Sequence, residues 1–135
     1  MQNSLKNWSI IFYIAAIYNL SAAIPSLANY SMNLEIYFAR STVPDEFLAF
    51  FYHIGFWFSV LIFGIGYLLV ARKPSENHGI IILAIIGKIG VGIGFIFAYW
   101  IGKATIMLAI GGFGDLFFAA MFLYFLFWYY KSKKK

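Results

Sequence analysis

Apolar residues gather along the chain into four long runs that are separated by shorter polar stretches. The runs cover residues 8–28, 47–71, 79–100 and 105–130. Each is long enough for an α-helix to cross a bilayer, which takes roughly 20 residues. Helices are expected because the lipid interior offers no hydrogen-bond partner to an open strand. The pattern therefore predicts an all-α, integral membrane four-helix bundle, with residues 1–135 forming a single transmembrane domain.

The links between the runs set how the helices follow one another. The first run has features of a secretory signal peptide, with Lys6 before it and small residues at Ser26 and Ala28, but we expect it to be retained as a membrane helix. The long link, residues 29–45, contains an amphipathic stretch at residues 32–38 that is predicted to lie at the membrane interface. The two later links are tight turns, so the helices that flank each should be antiparallel neighbours.

Composition and charge agree with a membrane protein. Hydrophobic residues make up 63% of the chain and charged residues 11%, against about 45–50% and 25% in soluble domains. The net charge of +5 comes from basic residues at the ends of the runs, which is typical of membrane orientation, so we expect no nucleic-acid partner. One side of the predicted bundle carries Lys6, Arg72, Lys73, Lys131, Lys133, Lys134 and Lys135, and the other carries Arg40 and Lys103. The sequence predicts a multi-pass protein of the bacterial inner membrane with both termini in the cytoplasm.

Two charged residues interrupt the apolar runs near their middles, Lys88 in the third run and Asp115 in the fourth. A lone charge at this depth costs about 3 kcal/mol, so such residues usually face inward and pair. Counted from the turn near Lys103, the two Cα atoms differ in depth by only about 4–5 Å. The sequence predicts an ion pair between them, and it leaves open whether the pair only fixes helix register or also forms part of a site.

Five further residues complete the predicted ligand-binding set. Asn19 lies near the midpoint of the first run, Ser59 lies at mid-depth in the second, and His53 lies nearer the outer side of the second. At 100° per residue, Gly92 and Tyr99 share the face that carries the lysine of the third run. The asparagine could hydrogen-bond either charged residue, whereas a buried histidine more often makes a structural hydrogen bond than binds a ligand.

Small residues recur every four positions on another face of the third run, at Gly90, Gly94, Ala98 and Gly102. Stripes of this kind let helices approach closely in lipid. We expect this small-residue stripe to lie at a close helix contact, either within the bundle or across a homodimer.

Several kinds of chemistry have no support in the sequence. The chain has no cysteine, which excludes disulfides and thiolate chemistry. The two histidines, His53 and His78, lie at different predicted depths, so they do not suit the two axial positions of one haem. No cluster of His, Asp and Glu suits a metal, and no serine–histidine–acid set can be assembled. We therefore expect no cofactor, no metal and no catalytic residues.

Several short motifs in the chain resemble a recurring, uncharacterised family of small bacterial four-helix membrane proteins. The motifs are Tyr18-Asn19-Leu20, Gly64-Ile65-Gly66-Tyr67 with Ala71-Arg72-Lys73-Pro74, Gly87-Lys88 and Gly114-Asp115. The resemblance covers nearly the whole chain, implies four helices, and marks Asn19, Lys88 and Asp115 as distinctive polar positions. It implies no activity.

The sequence favours a protein that binds a lipid-like amphiphile or a partner membrane protein around Asn19, Lys88 and Asp115. A homodimeric, proton-coupled small-molecule transporter is one alternative. Small multidrug exporters of this size carry a carboxylate in their first helix, however, where this chain has Asn19. A lipid-modifying enzyme with Asp115 or His53 as its acid–base group is the other alternative, and the missing second carboxylate argues against it.

Overall fold

A computed structural model describes residues 2–38 and 46–134 of the chain. These residues form five α-helices: α1 (Gln2–Ala28), α2 (Tyr30–Tyr37), α3 (Glu46–Arg72), α4 (His78–Trp100) and α5 (Ile106–Lys133). All but α2 are long and apolar enough to cross a membrane. The prediction of an all-α bundle with four membrane-length helices is confirmed.

The long helices extend beyond the apolar runs at both ends of the chain. The first run was predicted from residue 8, whereas α1 begins at Gln2, and α5 continues to Lys133 past the predicted end at residue 130. Residues 2–7 and 131–133 contain no Gly or Pro that would stop a helix. The hydropathy pattern therefore gives the apolar part of each helix, whereas the helical backbone hydrogen bonds of α1 and α5 continue into the polar residues beyond it.

The amphipathic stretch of the long link forms α2. Its N-cap is Asn29, whose Oδ1 accepts a hydrogen bond of 3.0 Å from the backbone N–H of Met32. At its other end, the backbone N–H of Thr105 donates to the carbonyl oxygen of Tyr37 at 3.0 Å, and the Thr105 hydroxyl donates to that of Ile36. Hydrogen bonds thus attach α2 to the turn between α4 and α5. The rest of the link, residues 39–45, lies outside the described residues.

The turn after α4 places α4 and α5 side by side. Gly102 has a φ of 70°, a left-handed conformation that glycine adopts without the penalty of a Cβ. The N–H of Gly102 donates to the carbonyl oxygen of Tyr99 at 3.0 Å, and that of Lys103 to Ala98 at 2.9 Å. These two bonds are those of a Schellman motif, which ends the helix and satisfies its last carbonyl groups.

The four long helices pack as two close pairs, α1 with α3 and α4 with α5. A Cβ placed at Gly92 would lie 2.8 Å from the carbonyl oxygen of Gly112, so the backbones of α4 and α5 are in direct contact there. In the other pair, a Cβ at Gly64 would lie 2.9 Å from the Leu20 side chain. Glycine therefore sets the helix spacing in both pairs, as is common for helices that associate in lipid.

The small-residue stripe is not part of either contact. A Cβ at Gly90, Gly94 or Gly102 would meet no atom within 4 Å among the described residues. The prediction that this stripe lies at a close contact within the bundle is therefore wrong. The reason is angular: Gly90 is about 200° around α4 from Gly92, the residue that touches α5. The homodimer alternative stays a prediction.

The two pairs meet differently in the two halves of the bundle. In the half nearer the chain termini, a core of aromatic side chains fills the space between them. Phe12, Phe122 and Phe125 are fully buried, and the rings of Phe12 and Phe122 stack with centroids 4.8 Å apart. The predicted neighbours α3 and α4 touch beside their turn, where a Cβ at Gly66 would lie 3.4 Å from Ile80, but they pack less closely than the two pairs do.

Candidate functional site

A cavity of about 420 Å³ lies between the two helix pairs in the half of the bundle nearer α2. On α1 its lining runs from Tyr18 to Ala22, and on α5 from Met107 to Asp115. The walls are mostly aromatic and aliphatic, with rings from Phe56, Trp57, Phe63, Tyr67 and Phe95, and α2 contributes Tyr37. Each of the four long helices thus supplies part of the wall of this mostly apolar cavity.

Three polar side chains meet at one end of this cavity. The Lys88 ammonium Nζ lies 2.5 Å from Asp115 Oδ1 and 3.1 Å from Asn19 Oδ1. The amide nitrogen of Asn19 in turn donates to the carbonyl oxygen of Val60 at 3.2 Å. The structure brings together the three residues that the sequence marks as distinctive, and their hydrogen bonds join α1, α3, α4 and α5.

The cluster is buried without being fully enclosed. The side chain of Lys88 is 5% exposed and that of Asp115 is 13% exposed, and both line the cavity. Charged groups in a medium of low dielectric constant need close partners, because desolvation is costly for each alone. The 2.5 Å contact supplies such a partner for each group.

Three aromatic rings also lie close to the ammonium group. The ring centroids of Tyr18, Tyr67 and Phe118 lie 5.2, 5.5 and 5.4 Å from Lys88 Nζ, within the range of cation–π attraction. The Tyr18 hydroxyl donates to the carbonyl oxygen of Gly111 at 2.8 Å, so its ring is held in place. The sequence did not predict these three rings beside the lysine. Phe118 is one helical turn from Asp115, and that spacing is the signal that could have found it.

Of three further residues predicted for the site, one lines the cavity and two do not. Ser59 lines the cavity, and its hydroxyl donates to the carbonyl oxygen of Gly55 at 2.8 Å. Gly92 is outside the cavity lining because it faces Gly112 on α5. Tyr99 is also outside the lining and is 44% exposed. It shares the face of Lys88 but lies three turns away, about 16 Å along the axis.

His53 belongs to a second polar cluster, which lies beside the cavity under α2. Its Nε2 lies 2.8 Å from the carbonyl oxygen of Ser26, and because a carbonyl only accepts, the histidine nitrogen donates. That carbonyl is in the last turn of α1, where the helix offers no partner. The buried Asn33 donates to the Ser26 hydroxyl at 2.7 Å and accepts from Trp57 Nε1 at 3.2 Å. His53 thus makes a structural hydrogen bond that ties α3 to the end of α1.

Asn33 was not predicted from the sequence, although it is 1% exposed and joins α2 to both α1 and α3. It lies within the amphipathic stretch, where a polar residue is expected to face water. Since Trp57 also lines the cavity, this second cluster positions one of the cavity walls. The only available signal was an amide in a segment next to a membrane helix, which is too common to single out one residue.

No family model, curated protein or solved structure matches the chain. The resemblance to a small bacterial family therefore stays a prediction. The four apolar helices fit a multi-pass membrane protein. What such a protein does has to be argued from the cavity and from the residues that line it.

Proposed function

We propose that the protein binds a small amphiphilic molecule within the membrane. The polar end of that molecule meets Lys88, Asp115 and Asn19, and its apolar part lies against the aromatic walls. The observation that carries this proposal is a cavity of about 420 Å³ that ends on a buried charged pair. The volume is within the roughly 300–1,000 Å³ that is usual for small-molecule sites. Ionisable groups within membrane helices are themselves frequent markers of sites.

The position of the pair favours a site over a purely structural role. A pair that only fixes helix register is best enclosed by packed side chains, since open space beside it adds nothing to register. Here Lys88 and Asp115 lie against a cavity of about 420 Å³ between the helix pairs, and Asp115 keeps 13% of its side-chain surface exposed. The arrangement suits a ligand that completes the surroundings of the pair.

The ligand would enter from the lipid. Four lining residues are also exposed, and they come from both helix pairs: Ser21 and Ser59 from one, and Met107 and Ile110 from the other. The cavity thus reaches the surface where the two pairs separate. A molecule that is already dissolved in the bilayer could reach the polar cluster without crossing water.

Binding has more support than transport. A transporter needs a path from one side of the membrane to the other, and the aromatic core around Phe12, Phe122 and Phe125 fills the half beyond the cavity. A lipid-modifying enzyme has less support, because Asp115 is the one carboxylate among the described lining residues.

We further propose that the protein lies in a bacterial inner membrane with both termini in the cytoplasm. The support is the distribution of basic residues, seven on the side of the termini and two on the other. In this orientation the cavity lies in the outer half of the membrane, beneath α2.

The binding proposal can be tested with tryptophan quenching in nanodiscs. The probes are hexadecanol, hexadecylamine and hexadecanoate, each brominated along its chain, and the reporter is Trp57 in the cavity wall. At least one probe should quench the fluorescence saturably, and the Trp57→Phe variant should lose that quenching. If no probe quenches Trp57, the proposal is overturned.

A matched pair of glycine variants locates the binding. Gly87 lines the cavity and Gly94 does not, and at both positions a Cβ would meet nothing within 4 Å among the described residues. Gly87→Leu should weaken probe binding about tenfold or more by occupying the cavity, a change of at least about 1.4 kcal/mol. Gly94→Leu should leave binding unchanged. Equal losses in the two variants would show that the probe binds elsewhere.

A further inference from the structure

Within the polar cluster, Lys88 has one N–H without a hydrogen bond and Asp115 has one carboxylate oxygen without one, in the part of the chain that the structure describes. An ammonium group has three N–H donors, and two of those on Lys88 are directed to Asn19 and Asp115. Among the described residues, neither the third N–H of Lys88 nor the second carboxylate oxygen of Asp115, Oδ2, has a hydrogen-bond partner. Both side chains line the cavity, so a ligand can supply both missing partners.

The charges within the cluster also balance. Lys88 and Asp115 together carry no net charge, whichever of the two holds the proton between them. A phosphate, a carboxylate or an ammonium on the ligand would therefore add an uncompensated charge to the interior of the bundle. Burying such a charge is strongly unfavourable in a medium of low dielectric constant. The charge balance thus selects against ionic head groups.

A hydroxyl meets both conditions, since it donates one hydrogen bond and accepts others without carrying charge. Resting on the proposed amphiphile binding, we infer that the cavity takes a neutral amphiphile whose polar end is an alcohol. Its oxygen accepts the free N–H of Lys88, and its proton is donated to Asp115 Oδ2. An ether or ester oxygen could accept from the lysine, but it would leave the carboxylate oxygen without a partner.

The cavity walls suit the rest of such a molecule. The rings of Phe56, Phe63 and Phe95 leave an apolar space beyond the polar cluster, which fits a hydrocarbon chain or an isoprenoid tail. Long-chain alcohols, isoprenoid alcohols and monohydroxylated neutral lipids share this chemistry.

The test compares ligands that share one chain and differ only in the polar end. The panel is hexadecanol, hexadecyl methyl ether, hexadecylamine and hexadecanoate, each brominated along the chain and measured by quenching of Trp57 in nanodiscs. The methyl ether keeps the acceptor and lacks the donor, so it isolates the bond to Asp115 Oδ2. Hexadecanol should bind at least about tenfold more tightly than the ether, because hydrogen bonds to charged groups are strong. It should also bind more tightly than the amine or the carboxylate.

A paired variant identifies the groups responsible. The double variant Lys88→Met with Asp115→Leu removes the ammonium group and the carboxylate together, so hexadecanol and its methyl ether should bind with equal affinity. The comparison on the unaltered protein stands by itself if this variant does not fold. An ether that binds as tightly as the alcohol, or an ionic probe that binds more tightly, overturns the alcohol inference and leaves amphiphile binding intact. If none of the four probes binds, amphiphile binding itself is overturned.

Discussion

Lys88 on α4 reaches Asp115 on α5 at 2.5 Å, and the same ammonium group reaches Asn19 on α1 at 3.1 Å. The α4 and α5 backbones are in direct contact at Gly92 and Gly112, but α1 belongs to the other helix pair. One lysine therefore holds its own pair together and also links it to the second pair. Its loss should affect the assembly of the whole bundle.

A double-mutant cycle measures how strongly the charged pair is coupled. Lys88→Met or Asp115→Leu alone leaves one buried charge without its partner and should cost about 3–5 kcal/mol of unfolding free energy. Removing both should cost less than the sum of the two single losses, because no lone charge is left. Equilibrium unfolding in mixed micelles provides the three values. Additive losses would show that the two groups do not interact, and that their 2.5 Å contact carries no energy.

Two glycines on one helix distinguish the packed face of α4 from its open face. Gly92→Leu would place a Cβ 2.8 Å from the carbonyl oxygen of Gly112, a backbone atom that cannot move aside, and should destabilise the bundle by about 1–3 kcal/mol or more. Gly94→Leu meets no described atom within 4 Å and should change the stability by less than about 0.5 kcal/mol. Thermal unfolding followed by circular dichroism in detergent measures both effects.

The same variants test the homodimer. If Gly94→Leu lowers the molecular mass measured by light scattering in detergent while the helices stay intact, the small-residue stripe is a contact between two copies. If Gly94→Leu destabilises the bundle as much as Gly92→Leu, the packing of α4 on α5 through Gly92 is contradicted.

The closeness of Lys88 and Asp115 could be predicted from the sequence, because the depth of a residue in a membrane helix follows from counting residues along the helix. Counting residues from a turn gives the height of Lys88 and Asp115 in the membrane, and the cost of a lone charge then requires them to meet. Glycine contacts depend instead on the angle at which one helix faces another. The regular spacing of the stripe at Gly90 and Gly94 indicated a shared face, but it could not indicate which face has a neighbour.

The cavity was beyond sequence reasoning for a related reason. The helices α3 and α4 are joined by a tight turn, but α3 packs mainly on α1 and α4 packs mainly on α5. The cavity lies in the space that this arrangement leaves between the two pairs. The short link correctly predicted that the two helices run in opposite directions, but it did not fix how far they separate beyond the turn. That separation depends on side-chain volumes from all four long helices at once, including Phe56 and Phe95, whose rings meet at 5.5 Å.

The buried side-chain amide of Asn33 on α2 gives a third prediction. Asn33→Leu keeps the side chain near its original size but leaves Trp57 Nε1 and the Ser26 hydroxyl without their partner, at a cost of about 1–3 kcal/mol. Amide hydrogen exchange across Tyr30–Tyr37 should become faster, because α2 loses its bonds to α1 and α3. Met32→Leu, at an exposed position on the same helix, is the control and should exchange like the unaltered protein. Unchanged exchange in Asn33→Leu would show that the turn at Thr105 alone holds α2 in place.

The orientation in the membrane gives the last prediction, and the chain is well suited to test it because it contains no cysteine. Lys73 lies in the turn after α3 and Lys103 in the turn after α4, and both are exposed, so each can be replaced by a single cysteine at little structural cost. The basic residues place the first turn in the cytoplasm and the second outside. A membrane-impermeant maleimide should therefore label Lys103→Cys in spheroplasts and should label Lys73→Cys only after the membrane is opened. The reverse pattern would place the termini outside and would move the cavity to the cytoplasmic half of the membrane. Labelling of both variants in intact spheroplasts would instead mean that the protein inserts in two orientations, which the seven-to-two distribution of basic residues argues against.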